Sequence, residues 1–229
     1  MNELLLIISL LVSFGATFVF MRLFGKAGLY AWIAISAILA NIEVTVLVNA
    51  FGMEQTLGNT LFAASFLATD ILSEIYGKKD ADRGVYIGII TTVMFIVFSL
   101  LWTNYIPSEN DWAMPSIKSL FSSTPRILIA SLAGYAISEK LDVWLYHKWW
   151  NLTEKMTGDH NKFLWFRNNF STLISQFINI VVFNFGAFYG TIPFATLVEI
   201  TGACYVIYIV TSLLDTPFVY LARKFAKKD

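Results

Sequence analysis

Residues 84–105 read GVYIGIITTVMFIVFSLLWTNY and contain no charged side chain. An α-helix rises about 1.5 Å per residue, so about 20 mostly apolar residues cross a hydrocarbon core of about 30 Å. This stretch is long enough and apolar enough to do so. We therefore predict that residues 84–105 form a transmembrane helix.

Six further stretches of this kind occur along the chain. Together they give seven predicted spans, at residues 3–22, 29–50, 57–77, 84–105, 124–146, 169–190 and 196–222. Hydrophobic residues make up 57% of the chain and charged residues 14%, whereas soluble proteins have about 45–50% and about 25%. A β-barrel would need alternating segments of about ten residues, and these runs do not alternate. The sequence predicts an all-α integral membrane protein, a compact bundle of about seven transmembrane helices.

The basic residues predict the orientation of the bundle, because cytoplasmic loops carry the excess of Lys and Arg. If the N-terminus lies outside, only Lys118 and Arg126 of the 16 basic residues fall on the outer side. We therefore predict an N-out, C-in, multi-pass protein of the cell (inner, cytoplasmic) membrane. The link at residues 147–168, rich in Trp and Phe, is predicted to lie at the membrane interface.

Several classes of function find no support in the sequence. The net charge is zero, which gives no argument for a nucleic-acid partner. The single Cys204 and the two histidines, His147 and His160, do not form a pattern with metal-ligand spacing. No glycine-rich phosphate loop and no candidate nucleophile are present. We expect no enzyme, cofactor or metal, and a carrier or the substrate-binding subunit of a carrier remains.

Ionisable side chains inside the predicted spans are candidate functional residues, because each costs about 3 kcal/mol at the bilayer centre. Asp70 and Glu74 share one face of the third span. They form either a substrate or coupling site or an ion pair between helices, with a cation such as Arg126 beside them. Glu43, in the second span, has the same two interpretations. Asp142 approaches the inner end of the fifth span, where solvation of a helix end is the alternative role.

Amide and aromatic side chains accompany these acids. Gln176 and Asn179 are three residues apart in the sixth span, where they either bind a ligand or join helices through hydrogen bonds. Phe62 and Phe66 flank the acidic pair, where they either stack on a planar ring or simply pack. Asn41 lies in the second span.

One segment carries a resemblance to a known family. Residues 58–79, GNTLFAASFLATDILSEIYGKK, resemble the signature of the queuosine precursor transporter family, also called the vitamin uptake transporter family. Asn41, the pair Ser175 and Gln176, and Thr216 followed by Pro217 agree with the same pattern. The resemblance covers roughly residues 30–222. It implies one transmembrane domain over 1–229, with an extra N-terminal helix at 1–28, a six-helix transporter core at 29–222 and a basic cytoplasmic tail at 223–229.

The resemblance implies import of queuosine precursors into the cytoplasm for tRNA modification. These are 7-deazaguanine bases, such as the cyano and aminomethyl precursors, or queuine. A guanine-like edge presents a ring N–H beside an amine, which one carboxylate accepts, and its lactam carbonyl takes a donor. The candidates are Asp70 or Glu74 for the carboxylate, Asn41, Gln176 or Arg126 for the donor, and Phe62 or Phe66 for stacking.

Two departures from the family pattern leave the choice of base open. Asn179 stands where many members carry Asp, and Ile207 or a neighbour stands where many carry Lys. Two other classes stay as alternatives. One is the substrate-binding subunit of an energy-coupling-factor vitamin or nucleobase transporter, which needs an ATPase partner. The other is a structural membrane protein whose buried charges hold helices together. A homodimer is also left open.

Overall fold

A computed structural model of the protein describes residues 1–121 and 125–226, without the side chains of residues 53–55 and 125. The predicted all-α membrane architecture is confirmed in its coarse form, with one small sheet added. The elements are α1 (Asn2–Glu43), β1 (Leu47–Ala50), β2 (Met53–Thr56), α2 (Gly58–Tyr76), α3 (Lys78–Asn104), α4 (Met114–Phe121), α5 (Pro125–Thr157), α6 (Leu164–Phe188) and α7 (Phe194–Phe225).

Helix α1 doubles back at Gly25, whose φ of 59° lies in the left-handed region that favours glycine. A straight helix of this length would extend about 63 Å. Instead, the side chain of Asn2 donates to the carbonyl of Asn49 at 2.9 Å. The rings of Phe20 and Trp32, on either side of the break, have centroids 5.3 Å apart. The element therefore consists of two helical segments, residues 2–24 and 26–43, packed against each other.

The predicted second span, residues 29–50, is wrong at its end. The helix stops at Glu43, and strands β1 and β2 form an antiparallel hairpin in which Ala50 pairs with Met53. Phe51 and Gly52 make the turn with φ of 54° and 74°, the two positive angles of a type I′ turn. The β-branched residues that precede and enter β1 favour an extended backbone.

The predicted interfacial link at residues 147–168 is also wrong in its extent. Helix α5 continues to Thr157 and α6 begins at Leu164, so only residues 158–163 connect them. Gly158, with a φ of 67°, follows the end of α5. Within the longer α5, Trp150 is buried, and its ring stacks on His147 at 5.8 Å between centroids.

The helices run between two ends of the molecule, which we name by their contents. The hairpin end holds β1, β2 and the start of α5, where Arg126 reaches the carbonyl of Tyr189 at 2.6 Å. The basic end holds Gly25, the 158–163 link and the end of α7, where Arg223 donates to the carbonyl of Asn161 at 3.0 Å. Each end therefore gathers segments that are distant in sequence.

Among the described residues, length and apolarity qualify four helices as candidate membrane spans: α1, α3, α6 and α7. The bent pair of α4 and α5 adds a fifth if it counts as one span. Helix α2 does not qualify because it carries Asp70 and Glu74 and several hydroxyl side chains. The seven crossings and the N-out, C-in orientation stay predictions.

Helix α2 forms the centre of the bundle. It packs against α1, α3, α5 and α7, and nearly all its residues from Gly58 to Ser73 are buried. Small side chains at Ala63, Ala64 and Ala68 allow this close packing on several sides. The polar side chains of α2 therefore face other helices instead of lipid.

Candidate functional site

A cavity of about 560 Å³ opens at the hairpin end, between the hairpin, α6 and α7. We call it the chamber. Its polar wall includes the amides of Asn59, Asn179 and Asn184 and the hydroxyl of Tyr208, while Phe183 contributes an aromatic face. None of the described residues that line it is charged. Its volume falls within the range of about 300–1,000 Å³ that is usual for small-molecule sites.

The chamber narrows into a second cavity of about 60 Å³, which we call the throat. The two share Asn59, Asn179, Phe183 and Tyr208, and the throat adds Asn41 and Phe62. A third, still smaller space continues inward from Asn41 and Phe62 to Ser65 and Tyr135. The row of cavities therefore leads from the hairpin end toward the middle of α2.

Four buried carboxyl groups lie beyond the inner end of this row. They belong to Asp70, Glu139, Asp142 and Asp215, and none is more than 1% exposed. We call them the acidic cluster. Ser65 joins the cluster to the cavities, since it lines the innermost space and donates to Glu139 at 2.8 Å. A ligand that moves inward from the throat therefore approaches acceptor groups.

Hydroxyl and amide groups, not cations, solvate the acidic cluster. Thr172 donates to Asp70 at 3.2 Å and Ser175 to Asp142 at 2.8 Å, both from α6. Asn168, also on α6, donates to Oδ1 of Asp215 at 2.7 Å. Among the described residues, no Lys or Arg forms a salt bridge with any of the four acids. Four such charges cannot all be buried unpaired without a large cost.

The carboxyl groups of Asp70 and Asp142 are close neighbours within the cluster. A hydrogen bond between two carboxyl groups requires a proton on one of them, because an ionised carboxylate only accepts. Asp70 Oδ1 and Asp142 Oδ2 also lack a donor among the described residues. The pair is therefore able to hold one proton or to accept donors from a ligand.

A buried ion pair lies at the basic end. Arg167 donates to both carboxylate oxygens of Glu74 at 2.7 and 2.8 Å, and the two side chains are 0% and 3% exposed. Tyr146 donates to the same carboxylate at 2.8 Å, and Arg223 lies 3.4 Å from it. The guanidinium of Arg167 stacks over Trp150, 4.0 Å from the ring centroid. We call this group the latch; it joins α2, α5, α6 and α7.

Five of the predicted site residues gather around the throat. Asn41, Phe62 and Asn179 line it. Gln176 is buried behind it and accepts a long hydrogen bond of 3.5 Å from Asn179. Phe66 is fully buried, with its ring centroid 6.3 Å from that of Phe62. The structure thus brings the predicted amide and aromatic groups together.

The predicted acids separate into different places. Asp70 and Asp142 lie together in the acidic cluster, so the alternative role of Asp142 as a solvated helix end is wrong, because its side chain is fully buried. Glu74 belongs to the latch and is already paired. Glu43 ends α1 at the hairpin end, with one carboxylate oxygen buried and no donor to it among the described residues.

Arg126 is not the cation beside the predicted acidic pair. Its guanidinium lies at the hairpin end and donates to the carbonyls of Gly186 and Tyr189, both at 2.6 Å. It therefore satisfies carbonyls at the end of α6, which have no partner within the helix. The cation beside Glu74 is Arg167.

Sequence reasoning missed Arg167, Asn59 and Tyr208 as site residues. Arg167 was assigned to the interfacial link, although it lies in the first turn of α6. Asn59 lies inside the family signature, directly after the predicted start of the third span. A polar residue at that position was the one signal that could have found it.

Comparisons with known proteins agree with this architecture. A family model described as "Putative vitamin uptake transporter" matches residues 56–222. A Bacillus subtilis (strain 168) protein named "Probable queuosine precursor transporter" is 31% identical over 221 residues, which covers 96% of this chain and 93% of that protein. A Haemophilus influenzae (strain ATCC 51907 / DSM 11121 / KW20 / Rd) protein of the same name is 30% identical over 110 residues, covering 44% of this chain and 45% of that protein.

No solved structure shows significant similarity to this chain. The family match includes the whole of α2 to α6 and most of α7, and therefore most of the chamber wall and all of the latch except Arg223. One relative also aligns along almost the entire length of both proteins. On this evidence, the chain belongs to the queuosine precursor transporter family, also called the vitamin uptake transporter family.

Proposed function

We propose that the protein is a secondary carrier that imports 7-deazaguanine queuosine precursors, such as the cyano and aminomethyl bases or queuine, across the cell membrane. The observation that carries the proposal is the chamber and throat, a largely apolar, uncharged cavity into which several amides and aromatic rings converge. The printed names of the relatives support the same substrate class. We also propose the N-out, C-in orientation, which makes the hairpin end the outer end.

The walls of the cavity suit a neutral heterocycle. Planar bases stack on aromatic faces such as Phe62 and Phe183, and amide side chains both donate and accept hydrogen bonds. Phosphorylated nucleotides would need cations, and no described lining residue of the chamber or throat supplies one. The free base is therefore the better fit.

We assign the carboxylate role to Asp70, with Asp142 beside it. Glu74 is already bound by Arg167 in the latch, so it has no free oxygen to offer without breaking that pair. Asp70 Oδ1 and Asp142 Oδ2 have no donor among the described residues. The ring N–H and the exocyclic amine of the base would supply two donors to this pair after moving inward from the throat.

Import then follows an alternating-access cycle around the middle of the bundle. In the conformation described here, the cavity opens at the hairpin end and the latch closes the basic end. Release into the cytoplasm requires that Glu74 and Arg167 separate. The possible homodimer stays a prediction and is not needed for this cycle.

Uptake by purified protein in liposomes tests the proposal. We expect liposomes that contain the protein to take up the radiolabelled cyano precursor, with competition by unlabelled aminomethyl precursor and none by adenine. Protein-free liposomes serve as the control. Saturable binding without uptake would instead indicate a substrate-binding subunit that needs partners. Neither uptake nor a ligand-dependent rise in melting temperature, for any of the bases, would overturn the proposal.

A further inference from the structure

Asn59 lies where the chamber narrows into the throat. It lines both cavities, from the first turn of α2. Tyr208, on α7, donates from its hydroxyl to Asn59 Oδ1 at 3.0 Å. The acceptor atom of this amide is therefore occupied, and its donor atom, Nδ2, points elsewhere.

Asn59 Nδ2 is buried and has no hydrogen-bond acceptor among the described residues. Buried polar groups in native structures nearly always have a partner, so an exception calls for an explanation. A buried donor without a protein partner is available to the acceptor group of a ligand. Its position at the narrowing makes it a group that a ligand meets on its way inward.

Two further amides at the throat offer the opposite polarity. Asn41 uses its Nδ2 on the carbonyl of Ala37 at 2.7 Å, which leaves Oδ1 as the atom it can offer to a ligand. Asn179 directs its Nδ2 to Gln176 at 3.5 Å and keeps its Oδ1 as an acceptor. Together with Asn59, the throat offers one donor and two acceptors.

This set is complementary to the edge of a guanine-like base, which presents one carbonyl acceptor and two donor groups. We propose that Asn59 is a specificity-determining residue, which donates from Nδ2 to the ring carbonyl of the base, and that Tyr208 is the positioning residue that fixes its amide. The proposal rests on the proposed function and deepens it: the site selects purine-like bases that carry a carbonyl beside a ring N–H. A base with an amine in place of the ring carbonyl would place its N–H donor against the Nδ2 donor of Asn59.

The role of Tyr208 follows from the geometry of the amide. With the Tyr208 hydroxyl on Oδ1, the Asn59 amide is held in the orientation that leaves Nδ2 without a protein partner. Without that hydroxyl, the amide is free to rotate and to present either atom. Tyr208→Phe keeps the ring and removes only this constraint.

Binding of two matched ligands to purified protein tests the proposal. The ligands are 7-deazaguanine and 2-amino-7-deazapurine, which lacks only the carbonyl and the ring N–H beside it. We expect wild-type protein to bind 7-deazaguanine at least about tenfold more tightly, the usual effect of losing one buried hydrogen bond. In Asn59→Ala the ratio of the two Kd values should fall about threefold or more but stay above one, because the ring N–H still distinguishes the ligands, and in Tyr208→Phe it should fall less.

Two further variants keep the test decisive. Asn59→Asp retains the acceptor for Tyr208 but replaces the donor, so it should lose discrimination even if Asn59→Ala does not fold. Asn184→Ala is the matched control: this amide also lines the chamber, but its Nδ2 already donates to Thr201 at 3.2 Å. We expect Asn184→Ala to keep the wild-type ratio, whatever its effect on affinity.

The outcomes separate this proposal from the proposed function. Equal Kd values for the two ligands in wild-type protein, or an unchanged ratio in both Asn59 variants, would overturn the role of Asn59. Import of the queuosine precursors in the same preparation would then leave the carrier function standing. Failure of wild-type protein to bind or import any base would overturn both.

Discussion

The hairpin end and the basic end of the bundle differ in chemistry. The walls of the chamber and throat combine aliphatic side chains with amides, hydroxyls and aromatic rings, with no charged residue among the described lining. The latch consists of Glu74, Arg167 and Arg223 with an aromatic surround. Neutral hydrogen bonds give a site that binds and releases a ligand readily, whereas a buried ion pair strongly favours one closed arrangement. In the proposed cycle, the hairpin end would select the base and the basic end would close the path.

The largest effect is expected from breaking the latch. Glu74→Ala leaves the buried guanidinium of Arg167 without its carboxylate, which should lower the free energy of unfolding by about 3–5 kcal/mol. We expect uptake to be lost as well. Thermal unfolding in detergent and the liposome assay measure the two effects.

An exposed ion pair at the same end provides the control. Lys78 and Asp82 are 3.3 Å apart, and their side chains are 49% and 40% exposed. Asp82→Asn should change the free energy of unfolding by less than about 1 kcal/mol. Equal losses of stability in Glu74→Ala and Asp82→Asn would show that the buried ion pair of the latch contributes no more to stability than an exposed pair.

The next effect concerns transport more than stability. Asp70→Asn keeps the size of the side chain and an oxygen that can accept from Thr172, but it removes the carboxyl that faces Asp142. We expect uptake to be abolished, with membrane abundance intact and the free energy of unfolding within about 1 kcal/mol of wild type. Quantitative immunoblotting of membranes and the uptake assay check this together. Normal transport in this variant would exclude Asp70 from the binding site.

A smaller effect is expected from filling the space at the inner end of the cavities. Gly88 leaves room for the hydroxyl of Tyr135, which occupies the position that a Cβ would take. Gly88→Ala should cost about 1–3 kcal/mol, because Tyr135 must move away from Ser65, now 3.3 Å from its hydroxyl. Thermal unfolding measures the loss, and uptake should fall with it.

Gly202 in α7 is the matched glycine. Nothing lies within 4 Å of a Cβ built there, so Gly202→Ala should stabilise the protein by about 0.5 kcal/mol. A destabilised Gly202→Ala variant, or a Gly88→Ala variant as stable as wild type, would contradict the packing described at the inner end of the cavities.

The smallest effect is expected at Arg126. Because this side chain satisfies carbonyls at the end of α6, Arg126→Ala should lower the free energy of unfolding by about 0.5 kcal/mol and leave the choice of base unchanged. Competition binding with guanine and adenine measures the choice. A changed preference between guanine and adenine would indicate that Arg126 takes part in binding the base.

Local sequence patterns predicted the elements whose signals are local. Helix α2 spans 58–76, against a prediction of 57–77, because glycines mark both ends of an apolar run. The second span failed at residue 43, where an apolar run continues into β-branched residues and periodicity cannot separate a helix from a strand. The seven crossings remain to be established by labelling the two ends from each side of the membrane.

In the candidate site, too, the residues with a local sequence signal were predictable and the contacts between distant residues were not. Asn41, Phe62 and Asn179 were predicted from their residue types inside apolar runs, and all three line the throat. Pairings were not predictable, because they join residues far apart in sequence. Arg167 lies 93 residues from Glu74, and no local pattern distinguishes it from a basic residue of an interfacial link.

The contact made by Arg126 has a mechanical consequence. It fastens the start of α5 to the end of α6 at one end of the bundle, while the short 158–163 link fastens the same two helices at the other end. Two helices connected at both ends are expected to move as one rigid unit. Of this helix pair, α6 contributes Asn179 to the chamber wall near one end and Arg167 to the latch near the other. In the proposed cycle, a tilt that draws the Asn179 end of this pair over a bound base would swing the Arg167 end away from Glu74.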